Sequence, residues 1–205
     1  WLALAAVLVL GGGVFPVVGT RARLVNRFDT TLGLTLDGAA YQQVAVYGDP
    51  GRTSRQDDDR RYALRDDAEA LEFMRQNIPG SPVVLEGATQ HAYRWTPRVA
   101  AYTGLPVVVG WQWHQLQQRG ASGNEPANVL RRVRHVEEMY STEDRGRLME
   151  LIGTYEVAYV YVGPAERTSF PEAGIAKFAA MAGEGLDLFF SNDAVQVYRV
   201  VDQGS

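Results

Sequence analysis

The sequence predicts an α/β protein: a mostly parallel sheet flanked by helices, ending in an antiparallel hairpin and preceded by a helix of transmembrane type. Three observations predict it. Residues 1–20 carry no charged side chain. Beyond them, short β-branched runs ending in glycine alternate with stretches of helical spacing, the pattern of a sheet covered by helices. At the C-terminus, two apolar runs flank Ser191-Asn192-Asp193-Ala194, a turn-rich spacer that joins hairpin strands.

The first element is the apolar segment, with Leu2, Leu4, Val7, Leu8, Val9, Leu10, Val14, Phe15, Val17 and Val18. It approaches the ~20 residues that cross a bilayer. It lacks the basic start and small-residue cleavage pattern of a signal peptide, and it lacks the polar face of a soluble core helix. Gly11-Gly12-Gly13 and Pro16 weaken a helix but are commoner in membrane helices than in soluble ones. The chain opens on Trp1, as expected of a segment of a larger membrane protein attached to the end of its last transmembrane helix. Arg21, Arg23 and Arg27 follow and, by the positive-inside tendency, point to the cytoplasm.

Residues 21–64 read as an irregular connector, with turn signals at Asp37-Gly38 and Gly48-Asp49-Pro50-Gly51 and a charged run over 52–61. Residues 65–205 then form one soluble α/β domain. A helix is expected over 65–78, where Ala68, Leu71, Met74 and Ile78 share a face and Asp66 and Asp67 favour the helix dipole. Pro79-Gly80-Ser81-Pro82 stops it. Strands follow over 83–87 and 106–110. Val129, Val133, Val136 and Tyr140 space a helix over 128–140, and Thr142, Glu143 and Asp144 cap another containing Leu148, Leu151 and Ile152. A strand over 157–162, a helix over 173–181 and the hairpin strands 186–190 and 195–200 complete the order.

Ligands of open parallel sheets collect at the carboxyl ends of the strands. Here those ends are Glu86-Gly87, Gly110-Trp111 and Gly163-Pro164. The loops beyond them carry His91, Tyr93, Arg94, Trp95 and Arg98, then Trp111, Gln112, Trp113, His114, Gln115 and Arg119, then Glu166 and Arg167. Flat aromatic faces beside carboxylate, imidazole and guanidinium groups suit a sugar or a lipid-linked sugar phosphate. The competing reading packs the tryptophans in core or interface and makes Arg98 and Glu86 an internal ion pair. Glu86 and Glu166 also invite comparison with a glycosidase's paired carboxylates, against which stands structural pairing with Arg98 or Arg167.

Other chemistries find less support. A net charge of -4, from 20 basic and 24 acidic residues, gives no field for nucleic acid. The absence of cysteine excludes disulfides, thiolate metal sites and cysteine nucleophiles. His91, His114 and His135 lack metal-ligand spacing, Asp57-Asp58-Asp59 reads as a solvated loop, and no phosphate-cradling glycine loop or serine elbow occurs. No metal and no cofactor are expected in this stretch of chain.

Several short runs carry a resemblance: Leu36-Asp37-Gly38-Ala39-Ala40-Tyr41, Asp67-Ala68-Glu69-Ala70 through Asn77, Val83-Val84-Leu85-Glu86, and Arg98-Val99-Ala100 with Thr103-Gly104-Leu105-Pro106. Gly110-Trp111 with His114-Gln115 and Arg119, and Tyr159-Val160-Tyr161-Val162-Gly163 with Glu166-Arg167, complete it. Together these resemble the C-terminal part of the DUF2298, or Chlor_Arch_YYY, family of large membrane proteins of archaea and Chloroflexi-type bacteria. That family looks related to the GT-C glycosyltransferases, which use polyprenyl-phosphate sugars. The resemblance implies an extracytoplasmic domain, against the arginine argument. The many-helix membrane part, with its tyrosine-rich motif and acidic catalytic loop residue, is absent from this sequence, so this segment alone is expected to be inactive. Glu86, His91, Tyr93, Arg98, Trp111, His114, Arg119, Glu166 and Arg167 would then serve acceptor or sugar recognition at the membrane surface. Two alternatives stay open: a non-catalytic scaffold that caps the membrane helices or binds a partner protein, and a hydrolase using Glu86 or His114.

Overall fold

A computed structural model describes residues 1–25, 30–48, 61–88, 95–121 and 123–201. The chain divides into two units, residues 1–44 and 45–205.

In the first unit, α1 (Leu2–Val14), a π-helical turn (Phe15–Gly19) and α2 (Thr20–Val25) run on without a break. The π turn begins beside Pro16, whose missing N–H removes one rung of the ordinary ladder. Residues Leu2–Leu24 form a 23-residue helix long and apolar enough to cross a membrane, and none of it is buried. Two 3-10 turns, Thr30–Leu32 and Ala40–Gln43, follow.

The second unit begins with a small antiparallel ribbon of β1 (Val46–Tyr47) and β2 (Tyr62–Ala63), with the Tyr47 and Tyr62 rings stacked 5.2 Å apart. Next come α3 (Arg65–Asn77), β3 (Val83–Leu85), α4 (Arg98–Thr103), α5 (Gln112–Arg119), α6 (Glu125–Ser141), α7 (Arg145–Thr154) and β4 (Val157–Val162). The chain closes with α8 (Pro164–Ser169), α9 (Glu172–Ala180), β5 (Leu186–Ser191) and β6 (Gln196–Val200).

The sheet order is β3-β4-β6-β5. The expectation of a mostly parallel sheet is corrected: β3 and β4 are parallel, but β4–β6 and β6–β5 are antiparallel, so the sheet is mixed. The hairpin docks through its second strand, directly against β4, and so supplies half of the sheet. The strand expected over 106–110 reduces to one parallel bridge, Val107 to Val84, with the Val84 N–H donating to the Pro106 carbonyl. Pro106 has no N–H with which to extend that ladder. The three glycine-ended segments are nonetheless neighbours in space, in the order 107, β3, β4.

Alternation along the strands feeds two cores. Val160, Val162, Leu85 and Tyr198 face α6, α7 and α9 through Val133, Val136, Met139, Leu151 and Phe178. Tyr159, Tyr161, Val84 and Val197 face α3 and α4 through Leu71, Met74 and Val99. The period of two along each strand therefore makes a helix–sheet–helix sandwich, with both faces apolar. Asp144 caps α7, its Oδ1 accepting from the Arg147 N–H at 3.1 Å.

Candidate functional site

Four ionisable side chains meet at the carboxyl end of β4, on the α3 and α4 side. Glu86 lies just past the end of β3, Arg98 opens α4, Glu166 lies in the first turn of α8 and Asp67 in that of α3. All are buried, with relative exposures of 2%, 1%, 0% and 0% respectively.

Arg98 is the hub. Its Nε donates to Asp67 Oδ1 at 2.8 Å, Nη2 to Glu166 Oε2 at 2.5 Å, and Nη1 to Glu166 Oε1 at 3.2 Å and to the Thr96 carbonyl at 3.1 Å. Its guanidinium also lies 4.4 Å from the centre of the Tyr161 ring. Asp67 accepts the Tyr161 hydroxyl at 2.6 Å and the Trp95 indole N–H at 2.7 Å. Glu166 accepts the backbone N–H of Gly163 at 2.9 Å and of Gly87 at 3.0 Å, so it ties the end of β3 to the start of α8. Burial works against the Arg98 charge, but Asp67 and Glu166 outweigh it and hold the guanidinium well above its ordinary pKa.

Glu86 takes different partners. Its Oε2 accepts from the Val99 N–H at 2.8 Å and its Oε1 from the Ala100 N–H at 3.4 Å, so the carboxyl sits at the N-terminus of α4. Burial pushes its pKa up to about 8, against the pull of Arg98 and of those N–H groups, with Glu166 adding to the rise. The expected Arg98–Glu86 ion pair is thus corrected to Arg98 with Asp67 and Glu166. The glycosidase comparison loses ground for the same reason, since both carboxyls are buried and bonded inside the protein.

Around this cluster the remaining candidates separate. Trp111 precedes α5, and the His114 ring stands edge-on to it at 5.4 Å; both are partly exposed. Arg119, at the end of α5, is exposed and bonds Gln115 at 3.0 Å and Glu125 at 3.2 Å. Arg167 is exposed and donates to Gln196 Oε1 at 2.7 Å. His91, Tyr93 and Arg94 lie outside the described residues, as do Asp57, Asp58 and Asp59. His135 pairs through Nδ1 with the Tyr155 hydroxyl at 2.7 Å. Among the described residues, no group of three or more His, Asp or Glu side chains is placed to hold a metal.

Sequence reasoning missed the roles of Asp67 and Tyr161. Asp67 reads as a helix-dipole residue, but α3 turns it inward onto Arg98. Its helical spacing was the available signal: Asp67, Ala70, Leu71 and Met74 are the buried positions of α3. A groove of about 1030 Å³ lies at the opposite end of the sheet, against the start of β4 and the end of β6, lined by Met149, Ile152, Val157, Met181 and Val200. No candidate residue faces it.

No family model matches the chain, and no curated protein does, so neither comparison supports the DUF2298 resemblance. Among solved structures, the chain is similar to the C-terminal globular domain of the oligosaccharyltransferase of Archaeoglobus fulgidus, at 13% identity and a TM-score of 0.42, over 66% of this chain and 97% of that one.

Proposed function

We propose that this chain is the extracytoplasmic domain of a polytopic membrane protein of GT-C glycosyltransferase type, where it contributes recognition of an acceptor or of a polyprenyl-phosphate sugar. The observation that carries the membrane reading is the helix Leu2–Leu24, whose apolar side chains are all left unburied. At 1.5 Å per residue it measures about 34 Å, against a hydrocarbon core of about 30 Å. The extracytoplasmic side and the sugar chemistry rest on the sequence resemblance. The accessible part of the recognition surface is α5 with its preceding residue: Trp111 and His114 offer rings for a sugar face, and Arg119 a cation for phosphate. The Arg98 cluster positions this surface, because Glu86 and Glu166 anchor α4 and the end of β3, from which the chain runs on toward α5.

The test is a titration of the full chain in detergent micelles with polyprenyl-phosphate sugars and with short glycans, followed by tryptophan fluorescence. Saturable binding that is lost in Trp111→Ala and His114→Ala supports the proposal. Lack of binding by a folded chain moves the reading to a non-catalytic scaffold. One observation favours that second reading: Glu86, Arg98 and Glu166 are all bonded internally, which is how a structural keystone behaves.

A further inference from the structure

A second polar basin lies between α5 and α6, beside the strand end at 107–109, with a volume of about 310 Å³. Its lining side chains include Gln115, Arg119, Glu125, Asn128, Arg131 and Arg132. The helical repeat explains how they gather. Asn128, Arg131 and Arg132 are spaced i, i+3 and i+4 on α6, beside the face whose Val129, Val133 and Val136 are buried. Arg119 reaches the same space from the last turn of α5.

Charge is unbalanced there. Among the described lining residues three guanidinium groups meet one carboxylate, in a chain whose net charge is -4. Glu125 holds Arg119 at 3.2 Å, and Asn128 donates to the same carboxylate at 3.4 Å. Arg132 is fixed by its Nη1 bond to the Val108 carbonyl at 2.9 Å and by stacking 5.1 Å from the centre of the Tyr155 ring, and its other donors have no partner among the described residues. Arg131 has no hydrogen-bond or ion-pair partner among the described residues and is exposed. A fixed guanidinium beside an unpaired one, with amide donors from Gln115 and Asn128, matches the several acceptor oxygens of a phosphate better than it matches a carboxylate.

We infer that the basin between α5 and α6 is an anion site for a phosphate or diphosphate group. This deepens the proposed function and rests on it only for the source of the phosphate. The site adjoins α5, so a ligand whose sugar lay on Trp111 and His114 would present its phosphate to the same helix.

The experiment is a calorimetric titration of the full chain, in a nonionic detergent, with sodium pyrophosphate. Arg131→Gln and Arg132→Gln serve as tests and Arg145→Gln, at the opposite end of the sheet, as control. The expected result is saturable binding that weakens by about tenfold or more in each test variant and not in the control. Arg131→Gln removes no internal contact, so loss of binding there cannot be attributed to misfolding. Absence of saturable binding, or equal binding by all variants, overturns the site. Repeating the titration in phosphatidylcholine nanodiscs with and without phosphatidic acid separates the sources. A pyrophosphate affinity lowered by the anionic lipid identifies a lipid headgroup as occupant, and an unchanged affinity identifies a free phosphate compound. Pyrophosphate binding without any response to polyprenyl-phosphate sugars or to short glycans keeps this site and overturns the proposed function. The reverse result overturns this site alone.

Discussion

The guanidinium of Arg98 meets the carboxylate of Glu166 side by side, Nη2 at 2.5 Å from Oε2 and Nη1 at 3.2 Å from Oε1, with both side chains fully buried. The residues are 68 positions apart, and their contact joins α4 to α8 across the end of the sheet. Asp67 completes the arrangement from α3. Removing one partner from such a group strands a buried charge, which is far more damaging than losing an exposed pair.

Arg98→Met should therefore destabilise the chain by about 3–5 kcal/mol, since Asp67 and Glu166 are left without a cation. Arg98→Lys should recover little, because an ammonium cannot reproduce the two-point contact. Adding Asp67→Asn and Glu166→Gln to Arg98→Met should restore part of the loss. Chemical denaturation followed by tryptophan fluorescence checks the series. A fully stable Arg98→Met would refute the structural role.

Two glycines mark close approaches. A Cβ at Gly163 would lie 2.8 Å from Arg98 Nη2 and 2.9 Å from the Tyr161 ring. One at Gly174 would lie 2.7 Å from the Ser141 carbonyl oxygen and closer still to that of Tyr140, where α9 crosses the end of α6. Alanine at either position should cost about 1–3 kcal/mol, with Gly174→Ala the worse, because backbone cannot step aside as a side chain can. The same denaturation assay ranks them.

The pH dependence of stability has a definite sign. Glu86 is raised from 4.5 to about 8 by burial, so the folded state holds its proton where the unfolded chain has released it. Its contribution is complete below pH 4.5 and is lost as pH rises through about 8. Lys177, lowered by burial from 10.5 to about 8, acts above that range and in the opposite sense: stability rises as pH climbs from about 8 toward 10.5. Wild-type stability relative to Glu86→Gln should fall between pH 4.5 and 8. A pH-independent difference between the two would show that Glu86 does not titrate there.

The Asp144 cap of α7 is exposed and separate from the cluster. Asp144→Ala should cost about 1 kcal/mol, while Asp144→Asn, which keeps the acceptor, should cost less. A thermal melt distinguishes them.

Membrane insertion of Leu2–Leu24 should be sensitive to a charge near its middle. Val14→Asp should add about 2.5–3.5 kcal/mol to the cost of insertion, whereas a charge at Arg21 is already tolerated near the helix end. Carbonate extraction of membranes carrying the two forms measures the difference. Equal retention would argue that this helix does not span.

Long elements with a clear apolar period were legible in advance. The helix expected over 65–78 is α3 and that over 128–140 lies within α6, because their burial follows the spacing of their own side chains, while the strand over 157–162 is β4, a continuous apolar run buried on both faces. The short helices α4, α5 and α8 were not. α4 has six residues, and α5, Gln112–Arg119, has eight that are mostly polar with no side-chain cap, so each is too short for its spacing to stand out from a loop. The α8 turn is held by Glu166 folding back onto Gly163, and that carboxylate also serves Arg98.

By itself the sequence determined where the chain is apolar enough to cross a membrane, where the longer helices and most strands of the sheet lie, and that aromatic and basic residues follow the glycine-ended strands. Those properties are local: each depends on side chains within one or two turns of each other. Only the tertiary structure decided that the hairpin enters through β6 and makes the sheet mixed, that Arg98 joins Asp67 and Glu166 instead of Glu86, and that Arg119, Arg131 and Arg132 share a basin. Each of these is a choice among partners far apart in the chain. The choice follows from how the two faces of the sheet pack, which brings the buried guanidinium of Arg98 within hydrogen-bonding reach of Asp67 and Glu166.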